Sequence, residues 1–584
     1  MISWKIGGEQ GEGIDSTGDM LAGALNAIGY YVYGYKTFAS RIKGGHTTYK
    51  IRFSGQPVES AAIRTDLLVA LDQNTIMLNI GEVPAGGCVL ADTSFKPALP
   101  VGSEGISLVP VPLTEIAKRF GRPVMRNMAA VGASAAIFRL PLEPFMNEVK
   151  RRFARKGTEI VEANWNTVQE GYRYVQEHIA DVPVLNLPNA SPADRMVITG
   201  NTALALGALA GGCRIFCGYP ITPATDIMET LIEWFPRVGG AVVQFEDELS
   251  SIMAAIGAGF AGVRAMTATS GPGLSLMQEA IGLASMAEIP VVVVDAQRAG
   301  PSTGMATKDE QSDLMALIYG GHGEGPRVVL APSSVHEAFA DGFEAFNLAD
   351  SLQTPVLIAS DLSLGLNTQG IDRASLQWRG LAVDASRRMS VDELGGLGQP
   401  GFERYRITHT GISPRSVPGQ KFGQYLATGS EHNTFGKVTE NPTNRQAMMD
   451  KRWRKLNDVH HMRPGLQVQG PMRAEIALVA IGATAGVVRD VQRQLAEEGR
   501  AVSAIWVRTL APFPVELAQR AMAEADRVIV VEQNATGQLM TLLRQHGVAD
   551  ARFSSLLKYD GIPFTTEDVF VYLKTLRAPT GVTG

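Results

Sequence analysis

Arg214-Ile215-Phe216-Cys217-Gly218-Tyr219-Pro220-Ile221-Thr222-Pro223 reads as a short strand that ends in a proline-bracketed turn, with a helix starting near Ala224. A strand running through a Gly/Pro turn into a helix is half of the crossover unit that parallel strands require. The two prolines stiffen the backbone around Ile221 and Thr222. They hold the Thr222 hydroxyl at the carboxyl end of the strand, where open α/β sheets take ligands. A plainer reading makes the segment a helix-starting turn, with Pro223 near the first helical position and Thr222 as the N-cap. That reading accounts for the threonine and one proline but not for the whole pentapeptide.

The same alternation recurs outward from this point. Uniform apolar runs appear at Leu67–Leu71, Pro290–Asp295, Val328–Leu330, Pro355–Ile358, Ile476–Ile481 and Arg527–Val531, each near a Gly or Pro turn and an amphipathic stretch. Such runs predict parallel strands covered on both faces. Three blocks emerge: 1–182, closing on a charged helix; 195–362, with several strand–helix units; and 473–584, again strand–helix–strand. Residues 183–194 carry prolines and small polar residues and read as a linker. Residues 363–472 lose periodicity and read as an irregular connector.

Composition narrows the function. The chain has 584 residues, 45% of them apolar and 19% charged, enough for a large folded core. A formal net charge of −5 offers no basic excess for nucleic acid. No apolar stretch approaches the roughly 20 residues of a membrane span. The start lacks the apolar core of about 7–15 residues found in signal peptides, so a cytoplasmic location is expected. The three cysteines, Cys88, Cys213 and Cys217, read as buried core residues. They are too few to ligate a four-iron cluster from this chain alone.

Three further strand ends in the middle block carry polar or Gly-rich loops. One strand ends in Glu246-Asp247-Glu248 ahead of a helix of small residues. A carboxylate there either tunes a ligand or complements the helix dipole. A second ends in Ala268-Thr269-Ser270-Gly271-Pro272-Gly273, and a third in Asp295-Ala296-Gln297-Arg298-Ala299-Gly300-Pro301-Ser302-Thr303-Gly304, which places one cation at the strand end. Parallel strands bring their carboxyl ends to one rim, so the four loops inform together more than singly.

Two N-terminal segments stand apart. Gly7-Gly8-Glu9-Gln10-Gly11-Glu12-Gly13 opens a helix and could cradle an anion. Ser16 replaces the third glycine of a dinucleotide fingerprint, and Glu9 and Glu12 repel a pyrophosphate, so a ligand-free structural turn is the stronger reading. Arg41-Ile42-Lys43-Gly44-Gly45-His46-Thr47-Thr48 sets two cations beside a Gly-Gly turn, suited either to a carboxylate or phosphate or to a solvated loop.

Together these segments resemble the α subunit of the thiamine-diphosphate-dependent 2-oxoacid:ferredoxin oxidoreductases, over most of the chain. The resemblance rests on Tyr-Pro-Ile-Thr-Pro at 219–223, Thr-Ala-Thr-Ser-Gly-Pro-Gly at 267–273 and Gln-Arg-Ala-Gly-Pro-Ser-Thr-Gly at 297–304. Segments 8–13 and 41–46 resemble a fused γ domain. Segments 531–539 (Val-Glu-Gln-Asn-Ala-Thr-Gly-Gln-Leu) and 559–565 (Tyr-Asp-Gly-Ile-Pro-Phe-Thr) resemble the transketolase-C-terminal-like domain, the latter most like members that use 2-oxoglutarate. Ala306 stands where the family has proline, a small departure.

The resemblance implies an α/β fold of three domains: a γ domain with a mixed α/β sheet, a thiamine-pyrimidine-binding-like doubly wound parallel sheet, and a transketolase-C-terminal-like α/β domain. The sequence contains no Gly-Asp-Gly. The resemblance therefore implies a β subunit that holds the thiamine diphosphate with its Mg²⁺ and a 4Fe-4S cluster, in an (αβ)2 assembly served by ferredoxin. It implies that Glu248, rather than Glu246, hydrogen-bonds the aminopyrimidine, and that Pro220, Ser270, Gly271 and Pro272 line the cofactor. Thr222 and Arg298 would bind the 1-carboxylate and keto oxygen, flanked by Tyr219 and Ile221. Lys43, assisted by Arg41 or Thr47, would bind a distal carboxylate.

The implied reaction is oxidative decarboxylation of 2-oxoglutarate to succinyl-CoA, whose reverse fixes CO2 as in a reductive TCA cycle. Lys451, Arg452 and Lys455 are candidates for the CoA phosphates, against a solvated charged helix. Three other readings stay open: a member of the same family using pyruvate or another 2-oxoacid, an iron-free thiamine enzyme of the transketolase type, and a non-catalytic CoA-binding scaffold.

Overall fold

The computed structural model describes residues 1–38, 44–180, 185–376, 381–383, 388–399 and 401–576. They form two compact units. The first comprises Met1–Thr199, Leu366–Ser375 and the chain from Phe564 onward; the second comprises Gly200–Gly365 and Leu376–Pro563.

The first unit is built on an eight-stranded mixed sheet. Its order is Ser107–Val111, Cys88–Asp92, Leu67–Ala70, Ile2–Glu9, His46–Ser54, Tyr31–Thr37, Thr368–Asp372 and Arg195–Thr199. The first four strands run parallel, and the remaining pairings are antiparallel. Helices Ile14–Ile28 and Arg126–Ile137 pack into a core with Trp4, Ile6, Tyr49, Ile51 and Phe53.

These limits move two boundaries drawn from periodicity. Arg195–Thr199 completes the first sheet instead of opening the middle block, and Thr368–Asp372 is a strand of that sheet rather than irregular connector. Helix Thr566–Thr575 also joins the first unit instead of closing the C-terminal block. Arg195 is held by Asp372 at 2.9 Å, a bond between segments 177 residues apart that no local pattern announces.

The second unit contains two sheets. The seven-stranded sheet has the order Thr509–Ala511, Val328–Leu330, Pro355–Asp361, Val291–Gln297, Ala265–Thr269, Ile215–Gly218 and Ala241–Gln244. All its pairings are parallel except the one that Thr509–Ala511 makes. Val291–Gln297 is buried along its whole length, as expected for a central strand covered on both faces. Ala241–Gln244 is an edge strand with mostly exposed residues.

The five-stranded sheet has the order Leu466–Gln469, Val502–Val507, Ala474–Ala480, Ala525–Glu532 and Phe553–Leu557. Only the first strand is antiparallel. One continuous core spans both sheets, from Ile252, Met277 and Val293 to Val479, Ile505 and Val530.

Candidate functional site

Contacts in the second unit tie the four predicted strand ends in two pairs, Thr222 with Arg298 and Glu248 with Gly273. After Ile215–Gly218, the helix Thr225–Trp234 starts with Ala224 at its N-cap and no side-chain cap. Thr222 is therefore not the cap that the plainer reading makes it. Its carbonyl instead accepts a 2.7 Å hydrogen bond from Nη1 of Arg298, and the Pro223 carbonyl accepts from Asn201 Nδ2 at 2.8 Å. Tyr219 is exposed, while Pro220, Ile221 and Thr222 are half-buried.

The acidic triplet divides its roles. Asp247 caps helix Glu248–Phe260, accepting from the Ser250 N–H at 2.7 Å, and that bond holds its carboxyl below the usual range. Glu246 is exposed, whereas Glu248 is 8% exposed. A Cβ on Gly273 would lie 2.0 Å from Thr269 Oγ1, 2.7 Å from Glu248 Cγ and 2.8 Å from Glu248 Oε1. The Glu248 carboxylate thus lies against the first turn of helix Gly271–Met286, a close approach that only glycine permits.

Arg298 follows the central strand and is 7% exposed. Besides Thr222, it donates from Nη2 to the Thr303 carbonyl at 3.4 Å. Burial pulls its pKa down, and the Asp313 carboxylate opposes that pull. Asp313 also faces the helix start, because a Cβ on Gly271 would sit 2.7 Å from its Oδ2. Burial first, then Glu310, pushes Asp313 up to about 6 against the pull of Arg298. Asp295, wholly buried at the end of the same strand, is pushed well above the carboxylate range by burial and by Asp313. Asp295, though part of a quoted strand end, and Asp313 received no role from the sequence, because a lone acid at a strand end or before a short helix has no distinguishing spacing.

A fit to thiamine diphosphate can be tested on these residues. A buried carboxylate beside the Gly-Pro-Gly turn suits a hydrogen bond to an aminopyrimidine. Ser270 Oγ is buried without a hydrogen-bonding partner among the described residues, leaving a polar atom for a bound group. The residues present fit that half of the cofactor.

Other candidates fare differently. Arg41 and Lys43 lie outside the described residues. Thr47 is buried in the first unit and donates to the Thr37 carbonyl at 2.8 Å, so its hydroxyl serves the sheet rather than a ligand. In the Gly-rich turn, Glu12 Oε1 takes Arg126 at 2.5 Å, and its Oε2 accepts from the Glu9 N–H at 3.2 Å. Both oxygens of the Glu12 carboxylate are thus engaged within the protein, one of them by the turn itself. Burial pushes the thiols of Cys88 and Cys213 up to about 12, and that of Cys217 up to about 11.

The run Lys451–Lys455 corrects both readings made of it. Lys451 and Lys455 are buried and grip the two oxygens of Glu288, each at 2.5 Å. Arg452, also buried, pairs with Glu431 at 2.6 Å, while Trp453 is 44% exposed. The cations turn inward because Glu288 is buried at the end of helix Gly271–Met286 and needs counter-charge. Burial opposes its ionisation, yet Lys455, Lys451 and Arg404 together hold its carboxyl well below the usual range. These side chains are neither a solvated face nor free for CoA phosphates.

Three family descriptions match the chain in sequence: "Pyruvate ferredoxin/flavodoxin oxidoreductase" over residues 3–174, "Pyruvate flavodoxin/ferredoxin oxidoreductase, thiamine diP-bdg" over 206–451, and "Pyruvate:ferredoxin oxidoreductase core domain II" over 474–569. The α subunit of 2-oxoacid:ferredoxin oxidoreductase 2 from Aeropyrum pernix is 33% identical, covering 97% of this chain and 96% of that one. The 2-oxoglutarate oxidoreductase subunit KorA of Mycobacterium tuberculosis is 30% identical over 98% of this chain and 91% of its own. A solved structure of 2-oxoglutarate:ferredoxin oxidoreductase from Magnetococcus marinus, with 2-oxoglutarate, coenzyme A and succinyl-CoA bound, superposes with a TM-score of 0.91. It is 34% identical and covers 98% of this chain and 99% of that one. Likeness of this extent leaves one assignment: the chain belongs to the 2-oxoacid:ferredoxin oxidoreductases, as an α-type subunit.

Proposed function

We propose that this chain is the α subunit of a 2-oxoglutarate:ferredoxin oxidoreductase. It interconverts 2-oxoglutarate, CoA and oxidised ferredoxin with succinyl-CoA, CO2 and reduced ferredoxin. The observation that carries the oxoacid chemistry is the rim formed by Glu248, the Gly-Pro-Gly turn, Thr222 and Arg298 within the thiamine-binding region. Support for 2-oxoglutarate comes from the segment Tyr559–Thr565 and from the Magnetococcus marinus relative.

When bound, thiamine diphosphate supplies the carbon nucleophile for decarboxylation. Glu248 shares a proton with a ring nitrogen of the aminopyrimidine, and its burial keeps water from competing for that proton. Pro220, Ser270, Gly271 and Pro272 shape the wall beside it. Arg298 donates charge-assisted hydrogen bonds to the 1-carboxylate and keto oxygen of the substrate. Thr222 orients the same groups, with Tyr219 and Ile221 alongside. Lys43, with Arg41, recognises the second carboxylate. A β subunit brings Mg²⁺, the diphosphate site and a 4Fe-4S cluster, pairing as (αβ)2 and passing electrons to ferredoxin. With reduced ferredoxin in excess the reaction runs towards CO2 fixation.

The test is viologen reduction by the co-purified complex with 2-oxoglutarate, pyruvate and a branched-chain oxoacid. Highest kcat/KM for 2-oxoglutarate is expected; preference for another acid moves the protein to the second reading within the family. Lys43→Ala should raise KM for 2-oxoglutarate by about 10–100-fold, the loss of roughly one charge-assisted contact. An unchanged KM removes its role.

A further inference from the structure

Between helix Leu314–Tyr319 and strand Val328–Leu330 the chain reads Gly320-Gly321-His322-Gly323-Glu324-Gly325-Pro326-Arg327. The loop lies at the amino end of its parallel strand, the end away from the Ser270–Gly273 turn. Gly321 and Gly323 take φ of +89° and +71°, which side chains resist. The loop rests on the second half of helix Gly271–Met286: a Cβ on Gly320 would sit 2.5 Å from Gln278 Cδ, and one on Gly325 3.0 Å from Ser285 Oγ. Loop, helix and part of helix Pro442–Arg454 line a cleft of about 270 Å³.

Arg327 lines that cleft and is 6% exposed. Its place is fixed from behind, because the Pro326 carbonyl accepts from Ser285 Oγ at 3.0 Å and from Thr354 Oγ1 at 2.9 Å. Nη1 donates to Gln278 Oε1 at 3.3 Å. Nε is buried without a partner, Nη2 bonds no described residue, and the guanidinium makes no ion pair among the described residues. The other cations lining the cleft, Arg445 and Arg452, both pair with Glu431 at 2.6 Å. Burial alone pulls Arg327 down to about 10, so it stays charged at neutral pH. A buried charge without its counter-charge is costly. The edge left free, Nε with Nη2, is one that grips two oxygens of a single anion in parallel.

The loop supplies further donors. None of the N–H groups of Gly321–Gly325 bonds a described residue. Runs of free N–H groups around left-handed glycines form anion-binding concavities. A carboxylate has both oxygens taken by the guanidinium, whereas a phosphate keeps a third for the loop. Of the lining carboxylates, Glu279 and Glu324 are exposed and do not pair with Arg327.

We propose that this cleft binds a phosphate group, free or as a phosphomonoester, with two oxygens on Nε and Nη2 of Arg327 and a third on the N–H groups of Gly321–Gly325. The volume leaves room for the body of a small phosphorylated metabolite beside the phosphate.

The experiment is calorimetric titration of the complete complex with its β partner, without CoA. Saturating thiamine diphosphate and Mg²⁺ keep the titrant out of the cofactor's own diphosphate site. Inorganic phosphate should bind saturably with Kd on the order of 1 mM or tighter, and sodium acetate at matched ionic strength should not. Arg327→Met should weaken phosphate by at least about tenfold, the worth of a charge-assisted pair. His322→Glu, at an exposed position on the loop, leaves the core untouched and adds a repelling charge, which should weaken phosphate by about threefold or more. Glycerol 3-phosphate separates the sources: tighter binding than phosphate assigns the cleft to a phosphomonoester, weaker binding to the free ion, and either upholds the site. No saturable phosphate binding, equal binding of acetate, or wild-type affinity in Arg327→Met overturns the proposal. Should Arg327→Met fail to fold, His322→Glu decides, and wild-type affinity there overturns it.

Discussion

Replacing Gly273 by alanine adds a carbon that would lie 2.0 Å from the Thr269 hydroxyl oxygen and 2.7 Å from Cγ of Glu248. An ordinary contact is about 3.5–4.0 Å, so one side chain or the helix must move by more than about 1 Å. Thr269 is wholly buried in its strand, which leaves Glu248 and the first helical turn as the parts that yield. Overpacking of this kind costs about 1–3 kcal/mol of stability. A displacement of about 1 Å at a reacting group costs on the order of 100-fold in rate. The expected result is a folded complex that has lost about 100-fold in kcat for viologen reduction and binds thiamine diphosphate more weakly. Gly282→Ala, on the same helix with no atom within 4 Å of the added carbon, is the control. It should keep full activity and gain up to about 1 kcal/mol from helix propensity. Thr269→Ala/Gly273→Ala removes the worst contact but not the one with Glu248, so stability should recover while activity stays low. Wild-type kcat and cofactor affinity in Gly273→Ala would refute the placement of Glu248 against this turn.

Three further outcomes follow from other parts of the structure. Glu248→Gln should retain folding yet lose about 100- to 10,000-fold in kcat, the range for removing a general acid–base group, as read by single-turnover decarboxylation. Asp309 is wholly buried, and burial and Asp361 push it up to about 7 from an ordinary 3.8. The folded state therefore keeps a proton that the unfolded chain releases near pH 4, and stability falls as pH rises from there to about 7. Asp309→Asn should flatten the melting-temperature profile over that window and stabilise the protein at pH 8 by up to roughly 4 kcal/mol. An unchanged slope would show that Asp309 is not the group responsible. Lys455→Met leaves Glu288 short of a counter-charge and should cost about 3–5 kcal/mol in thermal unfolding with KM for CoA unaltered. A large rise in that KM would return Lys455 to the CoA site.

Much of the site was legible because its parts are local. Proline-bracketed and Gly-Pro-Gly turns carry their backbone preference in a few consecutive residues, and apolar runs mark parallel strands without knowledge of their neighbours. Choosing Glu248 over Glu246 from sequence required the family's spacing. In the structure the two acids differ in burial, Glu246 lying exposed and Glu248 pressed against Gly273. Asp313 escaped notice because what distinguishes it is the close approach of its carboxylate to Gly271, on a different strand end, which no local spacing announces.

The sequence by itself determined the strand–helix architecture, the strand ends that form the rim, and the family. Each of these is written in short segments whose conformation depends on adjacent residues. Tertiary structure alone decided which way charged side chains face and which sheet a strand completes. Lys451 and Lys455 turn inward because Glu288, far away in sequence, is buried beside them; Arg195–Thr199 joins the first sheet because Thr368–Asp372 offers it a hydrogen-bonded edge. The proline-bracketed turn at Tyr219–Pro223 belongs to both accounts. Its stiffness is local, but its Thr222 carbonyl finds a partner in Arg298 only once the sheet has formed.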